Sequence, residues 1–144
     1  MKLKKLVIFA DGGAKNNPGL AGVGLVFYDE RKKELEKYQK FIGEATNNQA
    51  EYQAVIEGLK RAAQKYRAKE VIFYLDSQLV AEQLNHKFKI KNANIAPLFI
   101  QVHNLSLKFN KVKFFHIPRE KNKIADKLVR EAIKNSKFKD QNGK

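Results

Sequence analysis

The sequence predicts an α/β domain on a five-stranded mixed sheet, with elements in the order βββαβααβα. Three observations lead there. Three strand-like apolar runs come first, joined by connections that suit antiparallel neighbours. Later strand-like runs alternate with helical periodicity, the pattern of parallel strands and crossover helices. Two of the apolar runs, residues 6–10 and 71–75, end on an acid, Asp11 and Asp76. Right-handed crossovers set strands one, four and five side by side. Asp11 and Asp76 then fall at the carboxyl ends of adjacent parallel strands, the edge where open α/β sheets place their sites.

Residues 3–10 read as the first strand, and DGGAKNNPG at 11–19 as a turn-rich loop from its Gly, Asn and Pro content. Residues 21–28 and 34–43 read as strands two and three. Thr46-Asn47-Asn48-Gln49 has the T-x-x-Q form of a capping box, so a helix starts at Thr46. Its apolar face runs Tyr52, Val55, Ile56, Leu59, Ala62, Ala63, Tyr66 at helical spacing. Residues 70–75 are the fourth strand, and Ser77 caps a short helix through Leu84. Residues 85–95 are polar and irregular. Pro97 suits a helix start, and that helix runs to about Phe109. Residues 112–117 are the fifth strand, and a final helix covers about 121–136, with Asp126, Val129 and Ile133 on one face. The division expected is one domain over 1–136 and a frayed tail over 137–144.

Among 144 residues, 43% hydrophobic, there is core enough for one domain. No cysteine is present, which excludes disulfides and thiolate metal sites. The apolar run after Met1-Lys2-Leu3-Lys4-Lys5 stops at Asp11, too short for a signal peptide. Nothing approaches a membrane span, and the expected location is the cytoplasm. A net charge of +14 points to a polyanionic partner, since each Lys or Arg near a phosphate releases counterions.

Against that basic background, four acids sit where apolar residues belong. Asp11 and Asp76 close strands; Glu51 lies on the column Glu51–Val55–Leu59, and Asp126 on the apolar stripe of the last helix. An ionised carboxylate removed from water is costly unless paired or bound to a metal. Four in one small domain suggest a cation site, and an all-oxygen donor set favours a hard ion such as Mg²⁺ or Mn²⁺.

The pieces DGGAKNNPG at 11–19, TNNQAEYQA at 46–54, YLDSQ at 74–78 and HIPREKNKIADKLVREA at 116–132 resemble type 1 ribonuclease H in order and spacing. The likeness spans nearly the whole chain. It implies a ribonuclease H-like sheet, and endonucleolytic cleavage of the RNA strand of RNA–DNA hybrids to 3′-hydroxyl and 5′-phosphate ends. It implies two divalent ions, Mg²⁺ with Mn²⁺ as a substitute, held by Asp11, Glu51, Asp76 and Asp126, with Asp11 bridging. Two ions roughly 3.5–4 Å apart stabilise the attacking and leaving oxygens of an in-line displacement.

By the same resemblance His116, ten residues before Asp126, assists proton movement in product release; the plainer reading is a strand-end histidine. Gly12, Gly13, Glu51 and Gln78 are expected near RNA 2′-hydroxyls. Asn17 and Asn48 are expected toward the minor groove or the DNA strand, and Thr46 at a DNA phosphate. Each has a local reading too, as turn or helix cap. Arg119 and Asn122 are expected to shape the start of the last helix. HKFKIK at 86–91 is much shorter than the basic protrusion of some relatives; it is read as an extended loop packing Phe88 and Ile90. The chain thus reads as a short form, without protrusion or added hybrid-binding domain, and as a monomer. The rival readings are a nuclease of the same fold acting on duplex RNA or branched DNA, and a nucleic-acid-binding module without catalysis.

Overall fold

The structure, a computed structural model, describes residues 2–86 and 90–142. Strands β1 (Lys5–Ala14), β2 (Gly19–Asp29), β3 (Glu34–Ala45), β4 (Glu70–Leu75) and β5 (Lys111–His116) form one sheet in the order β3-β2-β1-β4-β5. The first three pair antiparallel, and β4 and β5 run parallel to β1. Helices α1 (Asn47–Gln64), α2 (Gln78–Leu84), α3 (Ala96–Ser106) and α4 (Lys123–Asn142) complete the chain, with a short 3₁₀ turn at Arg119–Lys121. The expected mixed sheet and element order are both present.

Helix α1 begins where the capping box places it. Thr46 Oγ1 accepts from the Gln49 N–H at 3.1 Å, and Gln49 Oε1 accepts from the Thr46 N–H at 2.9 Å. Tyr52, Val55, Ile56 and Leu59 are fully buried against Leu6, Ile8 and Phe73, each such side chain contributing roughly 1.5–3 kcal/mol. Helix α4 covers the opposite face of the sheet, over β2, β3 and part of β1. Gly24 makes that contact possible: a Cβ there would overlap the Ala125 carbonyl.

The structure departs from the sequence reading in three places. The Asp-Gly-Gly stretch is not loop: β1 continues through Ala14, with Gly12 opposite Val23 and Gly13 opposite Gly22. The turn is confined to 15–18. Glycine-rich composition imitates a loop, while pairing with β2 holds it extended. Helix α3 ends at Ser106, short of Phe109. Helix α4 runs on to Asn142, because neither Gly nor Pro interrupts the segment expected to fray. Within the 86–91 segment, Phe88 lies outside the described residues, while Ile90 is half-buried against the core.

The outward face of β1, β4 and β5 follows the two-residue period of strands. Rows across it read Lys5–Glu70–Lys111, Val7–Ile72–Lys113 and Phe9–Tyr74–Phe115. Ring centroids are 4.9 Å apart for Phe9–Tyr74 and 5.7 Å for Tyr74–Phe115. Tyr28 meets Phe9 edge-on at 5.5 Å.

Candidate active site

The sheet places the acids. The Ala10–Leu75 pair is the last in register between β1 and β4, so Asp11, still within β1, and Asp76, just past β4, lie side by side where the parallel pairing stops. Glu51 reaches them from the first turns of α1. Oxygens of Asp11, Glu51 and Asp76 lie within 4.8 Å of one another, the one such acidic group among the described residues. Asp126, at the start of α4, lines the same cavity but stands apart from this trio, half-buried, with Arg130 Nη2 3.4 Å from its Oδ2.

Hydrogen bonds from Gly12 and Asn122 hold Glu51 and Asp76 in place. The Gly12 N–H donates to Glu51 Oε1 at 2.7 Å. Gly12 is required there for a second reason, since a Cβ would overlap the Ala50 carbonyl. Asn122 Nδ2 donates to the Ala10 carbonyl and to Asp76 Oδ2, both at 2.9 Å. Asn122 is 2% exposed, so its amide is part of the interior beneath the acids.

Electrostatics follow from burial. Asp11 is held well above the ordinary carboxylate range, first by desolvation, then by the charges of Asp76 and Asp126, with Arg119 opposing. Glu51 is raised by burial and by Asp11 and Asp76. Asp76 is raised by burial, against the Asn122 hydrogen bond and the Arg119 charge. Largely buried carboxylates that repel one another form a site whose strain a hard cation relieves. The oxygen-only donor set fits a divalent ion of the Mg²⁺ or Mn²⁺ kind.

A cavity of about 720 Å³ opens over the acids. Gly12, Gly13 and Asn48 line it; Asn17, Thr46, Gln78 and His116 do not. Asn17 Oδ1 accepts from the Asn47 N–H at 2.9 Å, and Thr46 is the helix cap described above. Gln78 is exposed at the first position of α2. His116 closes β5, exposed, near enough for its charge to act on Asp76. Asn47, Lys15, Arg130 and Lys134 are among the cavity residues that had no expected site role. Asn47 Oδ1 accepts from the Ala14 N–H at 2.8 Å, tying α1 to β1. The Asp126–Arg130 spacing of four was the one available signal, since residues so placed share a helix face.

A mixed sheet with carboxylates converging at the ends of its central parallel strands defines an α/β protein with a divalent-cation site. Comparison with known proteins narrows that class. The family described as "Reverse transcriptase-like" matches residues 9–132. A bifunctional protein of Mycobacterium tuberculosis is 38% identical over 130 residues, covering 90% of this chain and 35% of that protein. This chain therefore spans about a third of that relative's length. The crystal structure of ribonuclease H1 from Halobacterium salinarum superposes with a TM-score of 0.86 at 32% identity, covering 91% of this chain and 98% of that one. The crystal structure of LC11 ribonuclease H1 in complex with an RNA/DNA hybrid gives 0.85 at 38% identity, covering 91% and 98%. This chain belongs to the type 1 ribonuclease H family.

Proposed function

We propose that this protein is a metal-dependent endoribonuclease that hydrolyses the RNA strand of RNA–DNA hybrids. The observation that carries the reading is the convergence of Asp11, Glu51 and Asp76 within 4.8 Å in a protein of net charge +14. A binding module gains nothing from clustered negative charge facing phosphates. The hybrid held by the LC11 enzyme supports the same substrate here.

Asp11, Glu51 and Asp76, whose oxygens lie within 4.8 Å of one another, would hold the ions. Asp126, which lines the same cavity, would be the fourth acid of the set. Two Mg²⁺ ions, or Mn²⁺ in their place, would neutralise charge on the scissile phosphate and on the attacking and leaving oxygens. Glu51 and Asp76 are held in fixed orientations by Gly12 and Asn122, so little reorganisation accompanies binding. Gly13 and Asn48 line the wall that a hybrid backbone would meet. In-line attack of water on phosphorus, with departure of the 3′ oxygen, leaves a 5′-phosphate and a 3′-hydroxyl. His116, exposed beside Asp76, is positioned to pass protons between solvent and the site.

The test is a gel assay on an end-labelled hybrid with Mg²⁺ or Mn²⁺, beside free RNA, duplex RNA and a branched DNA. Cleavage of the hybrid alone is expected, lost with EDTA and in Asp11→Asn and Asp76→Asn. Cleavage by Asp76→Asn at the wild-type rate sinks the metal assignment. Preference for duplex RNA or branched DNA moves the protein to another activity of the same fold.

A further inference from the structure

Beyond the acid pocket, the sheet carries a second surface with a chemistry of its own. Helix α4 lies over β2, β3 and part of β1 and leaves the outward face of β4 and β5 without a covering element among the described residues. Across that face Phe9, Tyr74 and Phe115 form a row of neighbouring rings, tilted between Phe9 and Tyr74 and stacked between Tyr74 and Phe115. Strand β5 is the sheet edge, so nothing follows Phe115 in the row. Phe115 is 44% exposed, which leaves apolar surface at the sheet edge open to a partner.

We propose that this face is a stacking platform for a single strand of nucleic acid, seated on Phe115 and gripped by Lys111 and Lys113. A nucleobase has an apolar π-face that can extend the aromatic row, and a backbone phosphate that an exposed lysine can reach. Lys111 and Lys113 are both exposed and stand in the rows beside Phe115. With Lys5 they set three positive charges on the face against the single negative charge of Glu70. That balance favours a polyanion over a second copy of this chain, which would bring lysine against lysine.

The face is also continuous with the acids. Asp11 and Asp76 follow Phe9 and Tyr74 by two residues, so they stand roughly 7 Å further along the same side of the sheet. A single-stranded tail leaving a duplex at the acids therefore meets the aromatic row next. The base contacts are sequence-tolerant, because stacking needs only a ring. The inference adds to the nuclease reading without resting on it, since a strand can bind here with no bond cleaved.

The experiment measures fluorescence anisotropy of labelled oligo-uridylate and oligo-thymidylate in EDTA, where turnover is silent. Both strands are expected to bind wild-type protein, and Phe115→Ala to weaken each roughly tenfold. Phe115→Trp should keep binding, and Lys113→Glu should weaken it and flatten its salt dependence. Binding of a blunt hybrid should be unchanged in all three variants, which also reports that they fold. The proposal is overturned if single strands bind Phe115→Ala and Lys113→Glu as they bind wild type, or do not bind wild type at all. It is equally overturned if light scattering shows a dimer that Phe115→Ala dissolves, which would make the face a protein interface.

Discussion

The side-chain amide of Asn122 uses both hydrogens at once, one on Asp76 Oδ2 and one on the Ala10 carbonyl, each at 2.9 Å. One buried group thereby ties β1, at the residue before Asp11, to the acid that follows β4. Asn122→Ala should lower stability by about 1–3 kcal/mol, because a buried carbonyl loses its donor. It should also weaken Mn²⁺ binding in a calorimetric titration, because Asp76 is freed to turn. Undiminished Mn²⁺ affinity in a folded Asn122→Ala protein would falsify the clamp.

The two neighbouring glycines make a paired prediction. A Cβ at Gly12 overlaps the Ala50 carbonyl, while at Gly13 it meets only Val129 at 3.7 Å and Asn47 at 3.9 Å. Gly12→Ala should lose at least about 2 kcal/mol by overpacking. Gly13→Ala should be neutral or gain about 0.5 kcal/mol by restricting the unfolded chain. Urea melts of the two variants check this directly; equal midpoints would contradict the close approach.

The acid pocket should give the metal-free protein a particular pH response. Asp11 has its carboxyl raised from 3.8 to about 8, chiefly by burial. A raised folded value means stability that is full below 3.8 and is lost as pH rises through about 8. In EDTA, wild type should therefore lose stability relative to Asp11→Asn across that window. Adding Mg²⁺ or Mn²⁺ should restore wild type and leave Asp11→Asn little changed. Thermal melts that track each other at every pH would argue against the buried-acid account.

Glu36 behaves in the opposite sense. Burial alone would raise its carboxyl, but hydrogen bonds from Tyr66, Lys65 and Arg61 outweigh it and hold the group below 4.5. Its contribution is present above 4.5 and is lost as pH falls through the lowered folded value. Glu36→Ala should cost about 2 kcal/mol at neutral pH, as its bonds are charge-assisted and its side chain is 15% exposed. Lys37→Ala, which removes an exposed 4.0 Å pair with Glu34, should change stability by less than about 0.5 kcal/mol. Chemical denaturation of both variants separates them.

Much of this arrangement was legible in the sequence, and the exceptions share a physical cause. The β4 range, the capping box at Thr46 and the buried stripe of α1 follow from local pattern, so they could be read directly. Asp11 and Asp76 were legible because an acid ending an apolar strand is anomalous by itself. The continuation of β1 through Gly12 and Gly13 was not, since the pairing that holds them comes from β2. Asn122 looked like a residue shaping a helix start; its contacts to Ala10 and Asp76 come from residues far off in sequence. Asn47 was hidden for the same reason, its side chain being spent on the Ala14 backbone. Asp126 stood on the expected face, but phase alone could not show that it sits apart from the other three.

The bond from Asn122 to Ala10 joins positions 112 residues apart, and the same helix start brings Asp126 to the cavity. The first strand end is thus made early in synthesis and finished late. A nascent chain can carry Asp11, Glu51 and Asp76 on β1, α1 and the end of β4 while the clamp that fixes Asp76 has yet to leave the ribosome. Full capacity to bind metal should therefore arise only once the last helix has joined the sheet, well after Asp11, Glu51 and Asp76 have been synthesised.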